Sequence, residues 1–167
     1  MLEKNSPALT VTLPSDREIR MTRVFDAPRS LVFEAWTRPE HVRHWWCIRD
    51  MTAPVCEIDL RPGGAWRIVL RKANGKEVRF KGVYREIVPP ERLVYTECFD
   101  DPSIGSPECL TTVIFEEHEG KTKMTSTSLC DSEAARNAQL QSGMEDGARE
   151  ALDRLAERVA SMQQGVS

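Results

Sequence analysis

The sequence predicts an α+β fold in which a curved antiparallel sheet of six to seven strands wraps around a long carboxy-terminal helix. One observation is RPGGAWR at residues 61–67, where a Pro-Gly-Gly turn joins two β segments. Another is GVYREIVPPERLVYT at residues 82–96, where a Pro-Pro break separates two segments of alternating character. A third is an apolar stripe at spacings of three and four over residues 144–162, which is typical of an amphipathic helix.

The remaining β segments follow from period-two alternation and from turn residues. Residues 17–25 alternate and predict a first strand, after which two short helices are expected, the second ending near Trp46. Asn74-Gly75 predicts a two-residue hairpin turn. Residues 100–108 are expected to form a loop, and Glu119-Gly120 a turn between two further strands.

The end of the chain is expected to be helical. Ser142 and Glu145 have the spacing of a capping box, so the main helix is predicted to begin near Gly143. Residues 133–141 are expected to form a separate helical turn or a lid. These boundaries predict a flexible leader at residues 1–15, a single ligand-binding domain at residues 16–163 and a tail at residues 164–167.

The amino-acid composition indicates which partners and which cellular compartment to expect. The formal net charge is −3 and the basic residues are dispersed, which disfavours nucleic acid as a partner. No apolar run approaches the ~18 residues of a membrane span. Five cysteines without CxxC spacing indicate reduced thiols in a cytoplasmic protein, so we expect no metal and no cofactor. The sequence leaves open whether the protein is a monomer or a homodimer.

Strand parity indicates which side chains face the long helix, because alternate residues of a strand share a face. Two interpretations of this inward set are open: a core filled to ordinary density, or a ligand cavity of ~300–1,000 Å³, which we favour. The candidate ligand-binding residues are Trp45, Trp46, Trp66, Phe80, Tyr84, Tyr95, Glu97, Met124, Ser126, Met144, Ala148 and Leu152. Met144, Ala148 and Leu152 are expected to form the roof of the cavity.

Glu97 is the chemically distinctive member of this set. A carboxylate that faces an apolar cavity must find a donor or take up a proton, since an unpaired buried charge is costly. Three roles are open: an ion pair with Arg67 or Arg85, which is the expected one, an anchor for a ligand hydroxyl or amine, and a general acid or base. No residue is predicted to be catalytic.

Several motifs occur in a fixed order along the chain: Ala27-Pro28, VFEAWT at 32–37, Trp45-Trp46, RPGGAWR at 61–67, GVYRE at 82–86, PPERL at 89–93 and Gly143-Met144. This set resembles the START-like, helix-grip (SRPBCC) superfamily over roughly residues 17–162. Within that superfamily it is most similar to the bacterial family that resembles the carboxy-terminal domain of the Hsp90 ATPase activator.

The resemblance implies a helix-grip fold and a function. Members of the superfamily bind lipids, polyketides, hormones or other apolar molecules under the long helix, and some cyclise or hydrolyse them. We therefore expect non-enzymatic binding of a small hydrophobic or aromatic molecule between the sheet and the carboxy-terminal helix. The alternatives are a polyketide cyclase or hydrolase-like enzyme with Glu97 as acid or base, and a co-chaperone or stress-related interaction protein.

The chain departs from the family pattern at two candidate residues. Met144 stands where tryptophan is common, and Glu97 follows Thr96 where an aromatic residue is common. The Asn-rich, Trp-containing motif by which the activator stimulates Hsp90 is missing from this sequence, as is the activator's amino-terminal domain. A chaperone role is therefore not carried over from the resemblance.

Overall fold

A computed structural model describes residues 9–47, 50–99 and 108–164. The strands in chain order are β1 (Thr10–Thr12), β2 (Glu18–Phe25), β3 (Met51–Ile58), β4 (Ala65–Lys72), β5 (Glu77–Val88), β6 (Arg92–Phe99), β7 (Glu108–His118) and β8 (Lys121–Cys130). The helices are α1 (Arg29–Thr37), α2 (Pro39–Trp45), α3 (Glu133–Gln141) and α4 (Met144–Gln164). The chain has the α+β, helix-grip architecture that the sequence predicts.

The eight strands form one antiparallel sheet in the order β1-β2-β8-β7-β6-β5-β4-β3. The predicted count of six to seven was too low because β1 lies inside the segment expected to be a flexible leader. Strand β1 pairs with β2, and Leu9 beside it is buried in the core. Residues 1–8 of the predicted leader, 165–167 of the predicted tail and 100–107 of the predicted loop lie outside the described residues.

The two predicted hairpin turns have different outcomes. Glu119 and Gly120 both have positive φ and connect β7 to β8 directly, so the two-residue turn is confirmed. At the other turn the N–H of Lys72 donates to the carbonyl of Lys76 at 2.8 Å, which closes a loop of three residues rather than two. Gly75 supplies the positive φ (89°) that this longer loop requires.

Helix α4 begins where the sequence predicts, but not for the predicted reason. The Ser142 hydroxyl donates to the carbonyl of Gln139 at 2.6 Å, so it satisfies the end of α3 and the predicted capping box is wrong. Gly143, with φ of +85°, then turns the chain into α4.

Among the described residues, no helix combines the length and the apolar character needed to cross a membrane.

The apolar face of α4 packs into the core of the domain. Leu152, Leu155 and Val159 are buried there. On the sheet side, the Arg23 guanidinium of β2 donates to the Asp153 carboxylate at 2.5 Å. The Nε atom of Arg23 is buried and has no hydrogen-bond partner. This ion pair fixes α4 to the β1–β2 side of the sheet.

The floor of the sheet depends on one close approach. Trp66 on β4 lies directly opposite Gly82 on β5, and its indole N–H reaches the carbonyl of Thr96 on β6 at 3.2 Å. A Cβ atom on residue 82 would collide with that carbonyl and with the indole. Gly82 is therefore required so that the indole can cross β5 and bond to β6.

We expect Gly82→Ala to destabilise the domain by about 2 kcal/mol or more, because it displaces a buried indole and breaks its hydrogen bond. Gly147→Ala is the matched control. Residue 147 lies in α4 with open space around its Cβ position, so the same change should stabilise by about 0.5–1 kcal/mol. Urea unfolding followed by far-UV circular dichroism measures both, and equal effects of the two changes would contradict the assignment.

Candidate functional site

A small, partly open cavity lies between the α1–α2 pair and the β3–β6 half of the sheet. Five aromatic and three aliphatic side chains line it: Trp36, Val42, Trp46, Ile58, Trp66, Ile68, Tyr84 and Tyr95. The lining is therefore apolar over most of its surface, with two tyrosines as its polar members.

The roof of the cavity is formed by the α1–α2 pair, which the Trp45 indole fixes in place. Trp45 is buried, and its N–H donates to the carbonyl of Ala35 in α1 at 2.9 Å. Its ring also lies 4.8 Å from the Trp36 ring, centroid to centroid. These contacts set the angle between the two helices and thereby place Trp36 and Trp46 over the sheet.

The floor of the cavity is a cross-strand set of rings on β4, β5 and β6. Tyr84 and Tyr95 are direct cross-strand partners with ring centroids 5.9 Å apart, and Trp66 lies 5.8 Å from Tyr95 edge to face. Trp46 completes the contact between roof and floor at 5.7 Å from Trp66. Aromatic pairs in this geometry stabilise a structure beyond simple burial, so these contacts help to hold the rings of the floor together.

The cavity is smaller than the sequence suggested. The space open to the centre of a water molecule is about 20 Å³, which is room for one or two waters. The expected ~300–1,000 Å³ of a ligand pocket is not present in this conformation. The interior at this point is closer to a filled core, and binding of a larger molecule requires the roof to move away from the floor.

The candidate residues from the sequence divide into three groups. Four of them, Trp46, Trp66, Tyr84 and Tyr95, line the cavity together. Trp45 and Phe80 stand behind Trp46, at ring distances of 6.1 and 4.9 Å respectively.

The other six candidates are not among the side chains that line this cavity. Glu97, Met124 and Ser126 lie on the same face of the sheet, farther along β6 and β8. Met144, Ala148 and Leu152 belong to α4, whereas the roof of this cavity comes from α1 and α2. The prediction placed the roof on α4 because that is the long helix of the helix-grip architecture, and from the two short helices it included only Trp45 and Trp46.

Four lining residues were not in the candidate set: Trp36, Val42, Ile58 and Ile68. Trp36 and Val42 could have been identified from the sequence, since each is an apolar residue on the inward side of a short amphipathic helix. Ile58 lies at the end of β3, an edge strand of irregular register with a shift between Thr52 and Val55, so strand parity alone does not identify it.

Tyr84 is the polar group of the cavity with the clearest chemical role. Its side chain is buried, and no described residue forms a hydrogen bond with its hydroxyl. Burial raises the pKa of Tyr84 well above its usual value. The hydroxyl therefore stays protonated at neutral pH and can donate a hydrogen bond to an acceptor inside the cavity.

Glu97 lies on β6 opposite Cys109, half-buried beyond the Tyr95 end of the cavity. No described residue forms a hydrogen bond or ion pair with its carboxylate, so the expected ion pair with Arg67 or Arg85 is absent from the described structure. Burial raises the pKa of Glu97 to about 7. A carboxyl group in this state can exchange a proton near neutral pH or anchor a basic group.

No set of three or more His, Cys, Asp or Glu side chains in the described segments is arranged to hold a metal ion. The aromatic floor of the cavity offers stacking area, and Tyr84 offers one directional donor.

Comparison with known proteins identifies one matching family. The family model of the Activator of Hsp90 ATPase homolog 1-like protein matches residues 26–160. Among curated proteins, no relative matches the chain.

Solved bacterial structures share the fold over nearly the full length. A Rhodobacter sphaeroides protein superposes with a TM-score of 0.85 at 24% identity, covering 92% of this chain and 99% of that one. A Chromobacterium violaceum protein is 28% identical with a TM-score of 0.73, covering 87% and 98%. A putative uncharacterized protein from Rhizobium leguminosarum is 29% identical with a TM-score of 0.71, covering 93% and 98%.

We expect the Glu97 carboxylate to lower stability as the pH rises. The unfolded chain ionises near the ordinary pKa of 4.5 and the folded chain only near 7. Between these values the folded state therefore binds more protons, and the free energy of unfolding falls. Glu97→Gln should stabilise the protein by about 1–3 kcal/mol at pH 8 and leave it unchanged at pH 4.5.

Urea unfolding of the two proteins at pH 4.5, 6 and 8 measures this difference. A gap between wild type and variant that stays constant across the range would show that the carboxyl group does not titrate as described.

Proposed function

The chain belongs to the Activator of Hsp90 ATPase homolog 1-like family, and on that premise we propose that it binds a small apolar or aromatic molecule without chemical turnover. The observation that carries the proposal is the convergence of five aromatic side chains on one cavity, from α1, from the residue that ends α2 and from three strands. Ligand sites are typically apolar concavities with few polar groups that fix orientation, and this composition fits that pattern.

Entry of the ligand is the step that this geometry constrains. Because the cavity has room for only one or two waters, a ligand ring takes the place of the Trp46 contact with the floor. The α1–α2 pair then moves as a unit, since the Trp45 to Ala35 hydrogen bond holds its two helices together. Affinity comes mainly from burial of apolar surface against the sheet.

Orientation comes from the Tyr84 hydroxyl. Its position in an otherwise apolar lining favours a ligand with a single oxygen acceptor, such as a carbonyl group, on a flat ring system. A purely aliphatic ligand would cover that hydroxyl without giving it a partner, which costs about 1–3 kcal/mol. A fatty acid would instead have to bury its carboxylate charge in an apolar lining, which is also costly. We therefore rank aromatic ketones and flavones above fatty acids.

Non-enzymatic binding is preferred because the cavity itself holds no nucleophile with a base beside it. Glu97, whose pKa burial raises to about 7, lies outside the lining. The enzyme alternative from the sequence depends on that residue alone.

Titration of tryptophan fluorescence with flavone, with palmitate as the aliphatic comparison, tests the proposal. Three of the four tryptophans line the cavity, so saturable quenching by flavone is expected. Val42→Ile adds one methyl group to the lining and should weaken flavone binding by about tenfold.

Val159→Ile is the matched control, because Val159 is an equally buried valine of α4 outside the lining. It should bind as wild type does. Equal weakening by the two variants, or no saturable quenching in wild type, would contradict the proposed site.

A further inference from the structure

Two of the five cysteines lie side by side in the sheet. Cys109 on β7 and Cys130 on β8 are direct cross-strand partners, and their sulfur atoms are 2.8 Å apart. Both side chains are buried. The other three cysteines lie elsewhere: Cys47 contacts the carbonyl of Met51 and Cys56 that of Pro39, and Cys98 is on β6.

The backbone shows that this pair occupies a non-hydrogen-bonded position of the antiparallel ladder. The N–H of Cys130 donates to the carbonyl of Arg17, beside β2, and so faces away from β7. Phe115, which shares the parity of Cys109 on β7, donates to the carbonyl of Glu91 beside β6 and so faces away from β8. In such pairs the side chains are closest and the Cα atoms are about 4.5 Å apart. This Cα separation lies within the range found for disulfides.

Helix α3 covers the two sulfurs. The Gln139 amide donates to the Cys109 sulfur at 2.8 Å, and Arg136 anchors the helix through the carbonyl of Ser15. Arg136 is the only buried residue of the nine in α3. A helix with so little buried surface opens locally at low cost, which gives a small molecule access to the thiols.

We propose that Cys109 and Cys130 form an oxidisable dithiol, a modification site at which a hydroperoxide converts the two thiols into a cross-strand disulfide. This inference is independent of the proposed ligand site. It also differs from the expectation drawn from composition, in which all five thiols are reduced.

The reaction has two steps. One thiol, as its thiolate, attacks a peroxide oxygen; an S–O bond forms, the O–O bond breaks, and the leaving hydroxide takes a proton to become water. The second sulfur then attacks the sulfenic sulfur; the S–S bond forms, the S–O bond breaks, and a second water leaves. Two thiols lose two electrons, and hydrogen peroxide is reduced to two waters.

Cys130 is the attacking thiol. Burial raises the pKa of both thiols. For Cys130, the hydrogen bond with Cys109 and the Arg136 guanidinium favour the thiolate and lower the pKa, whereas the Asp131 and Glu97 carboxylates raise it. For Cys109, burial and the hydrogen bond with Cys130 raise the pKa, Glu97 raises it further, and the Gln139 amide lowers it. The raised pKa values make the first step slow, and the sulfur contact makes the second fast.

The test treats the full chain with hydrogen peroxide under native conditions and then alkylates the remaining thiols in denaturant. Intact mass and peptide mapping should show a loss of two hydrogens, one Cys109–Cys130 cross-link reversed by dithiothreitol, and alkylation at Cys47, Cys56 and Cys98. The oxidised protein should also melt about 5–10 °C higher than the reduced protein.

Variants separate the roles of the two thiols. Cys109→Ser should accumulate a sulfenic acid at Cys130 that dimedone labels, Cys130→Ser should give much less label at Cys109, and Cys98→Ser should still form the cross-link. Alkylation of all five cysteines in peroxide-treated wild type would overturn the proposal. So would a cross-link to any other cysteine, and both results come from wild type alone.

Discussion

The contact between the tryptophans of the α1–α2 pair and the aromatic floor of the sheet is the interaction on which the candidate site depends. The helix pair and the floor are each held in place by a separate hydrogen bond from an indole to a backbone carbonyl. The Trp45 indole bonds to Ala35 and sets the helix pair, and the Trp66 indole bonds to Thr96 across Gly82 and sets the floor. Trp46 lies between them, so movement of the helix pair opens or closes the cavity.

The face of the sheet under the helices has an aromatic half and a polar half. Toward β3–β6 it is aromatic and lined by Trp66 and Tyr95. Toward β6–β8 it becomes polar, with Glu97 opposite Cys109, and the Thr111 and Ser128 hydroxyls 3.1 Å apart. In the proposed function, burial against the aromatic half would provide the affinity for an apolar ligand. The polar half holds Glu97 and the Cys109–Cys130 pair, on which the proposed oxidation depends. The two proposals therefore belong to different halves of one surface.

The fold could be predicted from the sequence because its signals are local and mutually consistent. Alternation along β5, the Glu119-Gly120 turn and the stripe of α4 each determine one element, and short connections restrict how they pair. The capping box was predicted wrongly because Ser142 can form either of two hydrogen bonds at a helix end. Ser142 can cap the start of one helix or the end of another, and the sequence does not distinguish them.

The site was predicted less completely because it depends on how the helices are placed over the sheet. Parity correctly placed Tyr84 and Tyr95 on one face, but it carries no information on which helix covers them. Trp36 and Val42 entered the lining through the angle between α1 and α2, which one indole hydrogen bond determines. The contact between Cys109 and Cys130 depends on the register of β7 and β8, which no spacing of cysteines in the sequence reveals.

A ligand between the α1–α2 pair and the aromatic floor would contact the indole rings that line the cavity. The most direct test of such binding is the set of four indole N–H resonances in ¹⁵N-labelled protein during titration with flavone. The largest shift is expected for Trp46, which the ligand displaces from the floor, and clear shifts for Trp36 and Trp66, which also line the cavity. Trp45 lies outside the lining and should shift little. Unchanged indole resonances together with saturable shifts of the α4 backbone amides would contradict this site and place the ligand under α4.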